Sequence, residues 1–113
     1  MKNADLKIHD SSGNVFADSE ARDADERLAK AELARLIRKE ISRRELTQAA
    51  AAELLGIKQP DVSDLVRGKL ARFSLSRLER LLNVLDLEIR IQVGPRPADK
   101  AHAGITVELV ESF

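Results

Sequence analysis

Between Thr47 and Gly68 the chain has room for two short helices and the turn that joins them. Thr47 can serve as an N-cap, its hydroxyl accepting from an orphan amide, although Ala50 stands where Glu or Gln would complete a capping box. Gln48 to Leu55 is rich in alanine and ends at Gly56, a residue suited to the left-handed conformation that closes a helix. A further helix can start near Gln59 and Pro60, since the missing N–H of proline costs nothing in a first turn. It runs to Val66 or Arg67, where Gly68 stops it. Two helices this short pack at a steep angle only if the first offers a small residue at the crossing. Ala52 does so, and Ile57, Val62 and Leu65 seal the junction.

The flanks supply the rest of a core. From about Ala24 to Arg43, the residues Ala29, Leu33, Leu36, Ile37 and Ile41 share one face of a helix of roughly five turns. Its other face carries Arg27, Lys30, Glu32, Arg35, Arg38, Lys39 and Glu40, expected to be solvated with i,i+4 pairs. Ser74 or Ser76 caps a fourth helix, the latter in a Ser-x-x-Glu box with Glu79, and Leu75, Leu78, Leu82 and Leu85 bury one side of it. After Asp86 the apolar period drops to two. Leu87, Ile89, Ile91 and Val93 alternate with polar residues, and Ile105, Val107 and Leu109 do so again, which predicts one or two short C-terminal β-strands. The first of these serves either to close the domain or as a dimer-forming edge. The expected fold is mainly α, a compact helical bundle. An N-terminal arm over 1–22, with a short strand near Leu6 to Ile8, precedes a helical domain with its trailing strand over 23–94. A loop and strand follow over 95–113.

At 113 residues one domain is the natural size. Nineteen Lys and Arg balance nineteen Asp and Glu, so no global basic field announces a nucleic-acid partner. Three Phe with no Trp or Tyr argue against a base-stacking platform. The lack of cysteine excludes disulfides, thiolate nucleophiles and cysteine metal sites, and points to the cytoplasm. The N-terminus does not read as a secretory signal, and no stretch approaches the about 20 apolar residues of a membrane span.

The paired short helices have helix-turn-helix geometry. The second leaves Gln59, Asp61, Ser63, Asp64 and Arg67 away from the packed face, able to meet base edges or phosphates in a major groove. A glutamine amide can pair bidentately with adenine, and Arg67 and Lys69 suit phosphates or guanine. The charge asymmetry missing from the total appears here: between Asp64 and Glu79 the charges are Arg67, Lys69, Arg72 and Arg77, all positive. They can supply phosphate contacts. Asp61 and Asp64 oppose phosphate, so affinity per subunit should be modest and specific binding should need a dimer.

Leu46-Thr47-Gln48, Ala52, Leu55-Gly56-Ile57, Gln59-Pro60, Val62-Ser63, Leu65 and Arg67-Gly68 resemble the Xre/Cro-repressor type of helix-turn-helix, built like the lambda repressor. Asn14-Val15-Phe16-Ala17-Asp18 before the first helix, Lys30-Ala31-Glu32-Leu33-Ala34, Phe73-Ser74 and the strand after the fourth helix are similar to the HigA-like antitoxins of type II toxin-antitoxin systems. The resemblance implies a homodimeric repressor of its own operon, bound to double-stranded DNA at a palindromic operator, that neutralises a HigB/RelE-like ribonuclease toxin. It further implies that Gln48 contacts a phosphate and braces Gln59, that Gln59 reads a base, and that Ser63 and Arg67 add base or backbone contacts. Lys58 stands where the family often has a capping Ser or Asp, and its ammonium can reach a phosphate. Glu45 stands where a Gly commonly precedes Leu-Thr-Gln. The alternative is a stand-alone Xre-type regulator without a toxin.

Catalysis finds little support. His9 and His102 lie in separate polar segments without metal-ligand spacing, and neither a nucleophile elbow nor a Gly-rich phosphate loop is present. Asp23, Asp25 and Glu26 read as a first-turn acidic cluster. No enzyme activity and no cofactor are expected.

Overall fold

The computed structural model describes residues 12–110. Four helices occur among them: α1 (Ser12–Arg43), α2 (Gln48–Leu55), α3 (Gln59–Val66) and α4 (Leu75–Val84). α1 packs chiefly on α4, and α2 on α3. The core is aliphatic. Ala29, Leu33, Leu36, Ile37 and Ile41 of α1 are buried as their spacing predicts, against Ala51, Ala52 and Leu55 of α2, Val62 and Leu65 of α3, and Leu78, Leu81 and Leu82 of α4. Phe73, in the turn before α4, completes it.

The helix ends explain why the chain folds back so tightly. Thr47 Oγ1 accepts from the Ala50 N–H at 3.0 Å, and Ser74 Oγ accepts from the Arg77 N–H at 3.0 Å, so Ser74 rather than Ser76 caps α4. Gly56 (φ 71°) and Gly68 (φ 75°) both close helices in the left-handed region. At α3 the Lys69 N–H reaches the Asp64 carbonyl (2.8 Å) and the Gly68 N–H reaches that of Leu65 (3.1 Å), a Schellman closure. α1 and α4 end in the same way without glycine. Leu46 N–H donates to Ile41 O and Leu87 N–H to Leu82 O, with Glu45 (φ 56°) and Asp86 (φ 67°) in the left-handed position. A non-glycine residue there costs about 1–2 kcal/mol. The position where the resemblance places a glycine is thus one of real backbone demand.

Three expectations need correction. The first concerns the C-terminal strands, which do not form. Among the described residues there is no strand; 87–97 runs without a turn or bend, and no backbone hydrogen bond joins it to 103–109. An alternating pattern chooses which side of a segment is apolar, but a strand also needs a neighbour to complete its ladder. Leu87, Ile89 and Val107 satisfy their alternation by packing on the helical core instead. The second concerns Glu40, expected on a solvated face: it is 2% exposed.

The third concerns α1, which begins at Ser12, well ahead of the Ala24 start that periodicity marks. Over 19–23 this extension is polar: Ser19, Glu20, Arg22 and Asp23 are exposed, so no apolar stripe reports it there, while Glu20, Ala21, Ala24 and Arg27 are sound helix formers. The strand expected near Leu6 to Ile8 lies outside the described residues. The C-terminal loop returns to α1, where His102 Nε2 lies 3.7 Å from Asp25 Oδ2.

Candidate nucleic-acid interface

α3 is held from behind and left open in front. Val62 and Leu65 are completely buried, and the Arg38 guanidinium of α1 donates to the Leu65 carbonyl at 3.2 Å. On the other side Gln59 and Arg67 are exposed and Ser63 is half-buried, at i, i+8 and i+4 along one face. Lys58 precedes the helix in an extended conformation, exposed and without a side-chain capping bond, and Gln48 is exposed as the first residue of α2. Lys69 is exposed just past the Gly68 turn.

Asp61 and Asp64 are the surprise of this surface. Both are half-buried, and both are engaged by arginines. Arg77 Nη2 lies 2.9 Å from Asp61 Oδ2, and Arg72 Nη2 bridges Asp61 Oδ1 (3.5 Å) and Asp64 Oδ2 (3.4 Å). Arg67 Nη2 is 3.8 Å from the other Asp64 oxygen. Arg77 is further fixed with its Cζ 4.5 Å from the centroid of the buried Phe73 ring, a cation–π contact. The two carboxylates are therefore not free to accept from a base or to repel a phosphate at full strength. They organise three guanidinium groups along the flank of α3, with Lys58 and Lys69 beyond either end. Arg72 keeps 75% of its side chain in solvent and Arg77 only 30%. Of the two, Arg72 is the one presented outward.

The sequence gives the cations but not this network. The i,i+3 pair of Arg67 with Asp64 follows helical spacing, but the links from Arg72 and Arg77 span 8, 11 and 16 positions and cross the turn between α3 and α4, which no helical spacing rule covers. The available signal was charge alone: two acids in an eight-residue helix, followed only by bases. No helix among the described residues is long and apolar enough to cross a membrane.

Known proteins agree with this architecture. A family model described as a helix-turn-helix domain (HTH_37) matches residues 15–94, most of the chain. A solved structure whose name assigns it to the XRE family of transcriptional regulators is 45% identical, with a TM-score of 0.72, over 78% of this chain and 99% of that one. No protein with a curated description matches. With α2 and α3 forming the paired helices that its turns dictate, the chain belongs to the helix-turn-helix domain family HTH_37, among the XRE-type proteins.

Proposed function

We propose that the protein is a sequence-specific, double-stranded DNA-binding transcriptional repressor, with α3 as the reading helix of each subunit in a homodimer on a palindromic operator. The supporting observation is the open face of α3. Gln59, Ser63 and Arg67 stand opposite Val62 and Leu65, flanked by Lys58, Lys69 and Arg72. A helix so held can lie in a major groove with its amide, hydroxyl and guanidinium groups at base edges, while the flanking cations meet phosphates. Two such helices about 34 Å apart would enter successive major grooves.

A mobility-shift assay on the promoter of the gene tests this reading. Gln59→Ala should lower discrimination at one base pair by about 1–3 kcal/mol. Lys69→Ala should weaken all sequences alike and reduce the salt slope by about 1. Promoter binding untouched by both Gln59→Ala and Arg67→Ala would remove α3 as the reading helix.

The acid–arginine network makes a separate prediction. Asp61→Asn removes a charge that opposes phosphate and, with it, the anchor of Arg77 and one anchor of Arg72. Affinity for arbitrary duplex should rise, while the preference for the operator over arbitrary duplex should fall by about 1 kcal/mol. Competition titration with unrelated DNA reads both numbers. Equal gains in affinity for operator and arbitrary duplex, with the preference unchanged, would show that the carboxylate only repels.

The finer part of the proposal is that the protein is the antitoxin of a type II module, repressing its own operon and neutralising a HigB/RelE-like ribonuclease. Its support is the run Asn14-Val15-Phe16-Ala17-Asp18 and the Lys30-Ala31-Glu32-Leu33-Ala34 segment. Co-purification with a basic protein encoded in the adjacent reading frame is expected. Clean failure to associate leaves the stand-alone regulator.

A further inference from the structure

Arg72 differs from the lysines that flank α3 in being held at both ends. Its backbone stands in the turn before α4, pinned by the N–H of the buried Phe73, which donates to Leu70 O at 3.0 Å. Its side chain is tied through one atom, Nη2, which lies 3.5 Å from Asp61 Oδ1 and 3.4 Å from Asp64 Oδ2. Both carboxylates are half-buried on α3, and Asp61 is fixed in turn by Arg77 at 2.9 Å. The Nε and Nη1 groups of Arg72 donate to no protein acceptor among the described residues, and 75% of the side chain stays in solvent. Lys58 and Lys69 have no ion-pair partner among the described residues, so their ammonium groups can follow a target through several rotamers.

We propose that Arg72 is a specificity-determining residue that reads the position of one backbone phosphate of the DNA. The inference rests on the DNA-binding reading above and names what the acid–arginine network adds to it. A planar guanidinium held at Nη2 presents its remaining N–H groups in set directions. Arg72 also lines, with Lys58 and Arg77, a cleft of about 620 Å³ beside the first turn of α3. Asp61 lines the same cleft, but its charge is matched there by Arg77 and Arg72. A phosphate that enters this cleft meets Lys58 and the open N–H groups of Arg72 while the ties to Asp61 and Asp64 stay whole. Where the backbone runs differently, Arg72 can follow it only by giving up those ties. The course of the backbone varies with base sequence through groove width and deformability, so a cation fixed in this way discriminates between sequences without touching a base.

Arg72→Lys separates this role from that of a plain cation, since it keeps the charge and removes the fork. Both proteins are titrated against the promoter duplex, an unrelated duplex of equal length, and promoter duplexes that each carry one neutral methylphosphonate linkage, with far-UV circular dichroism to verify helicity. Arg72→Lys should lose about tenfold in affinity for the promoter, hold the unrelated duplex within about twofold, and leave the salt slope unchanged. One methylphosphonate position in each half-site should cost the wild type about tenfold and the variant about twofold or less. With Asp61→Asn and Asp64→Asn both in place, Arg72→Lys should leave the remaining preference for the promoter within about twofold, because the guanidinium is no longer held. Equal losses on both duplexes, no loss on either, no methylphosphonate position whose cost depends on Arg72, or a full effect of Arg72→Lys beside the two neutralised acids overturns the proposal and leaves α3 as the reading helix. A wild-type protein that binds promoter and unrelated duplex alike removes sequence-specific reading and this proposal together.

Discussion

Replacing Phe73 by alanine should destabilise the protein by about 3–5 kcal/mol. The ring is 2% exposed and is the largest of the fully buried side chains. It sits in the turn between α3 and α4, its N–H donating to Leu70 O at 3.0 Å, so helical packing cannot collapse onto the space it leaves without moving that turn. A domain of this size has about 5–15 kcal/mol in total, and the change removes a large share of it. The damage should also reach the proposed DNA-binding surface. Arg77 loses the ring it lies against and with it the geometry that holds Asp61 at 2.9 Å. Urea denaturation should show a lower midpoint with an unchanged slope. At a temperature where the variant is still folded, operator preference should fall further than for Lys69→Ala. Phe73→Leu, which fills most of the volume but offers no π face, separates the two effects. It should recover much of the stability and little of the Arg77 placement.

The parts of this fold that follow from local chemistry were legible in the sequence. Thr47, Gly56 and Gly68 mark helix ends because their side chains or lack of them settle the backbone there, and the structure uses each. The stripe from Ala29 to Ile41 and the leucines of α4 were legible because burial imposes a period on sequence. What was lost depends on partners. Over 19–23 the start of α1 carries no periodic apolar signature, because its side chains there are largely exposed. The alternation after Asp86 is real, but whether it becomes a strand is decided by a neighbouring backbone that the segment itself does not encode. Asp61 and Asp64 read as acids on a DNA-facing helix, whereas their meaning comes from Arg72 and Arg77 across a turn. Glu40 was misplaced because an i,i+3 and i,i+4 pair with Arg43 and Arg44 looks the same on a solvated face and against a core.

Glu40 supplies the remaining large effect, one that pH should expose. Its carboxylate is buried at the C-terminal end of α1 and accepts from both guanidinium groups: Arg43 Nε at 3.0 Å and Arg43 Nη2 on its two oxygens, and Arg44 Nε at 2.7 Å. Arg44 also donates to the Leu85 carbonyl at 2.7 Å, so one carboxylate positions the clasp between the ends of α1 and α4. The hydrogen bonds from Arg43, opposed by burial and reinforced by Arg44, lower the Glu40 pKa from 4.5 to about 2. Because the folded value lies below the unfolded one, the stabilisation is fully present above the ordinary carboxylate range and is lost as pH falls from about 4.5 toward 2. Allowing for solvent screening through Arg43, whose side chain is 57% exposed, it amounts to about 2–3 kcal/mol. Glu40→Gln keeps the shape and removes the charge. At pH 7 the variant should be less stable by that amount, and the two stability curves should converge near pH 2. Curves that stay parallel from pH 7 to pH 2 would mean that the clasp holds by packing and not by charge.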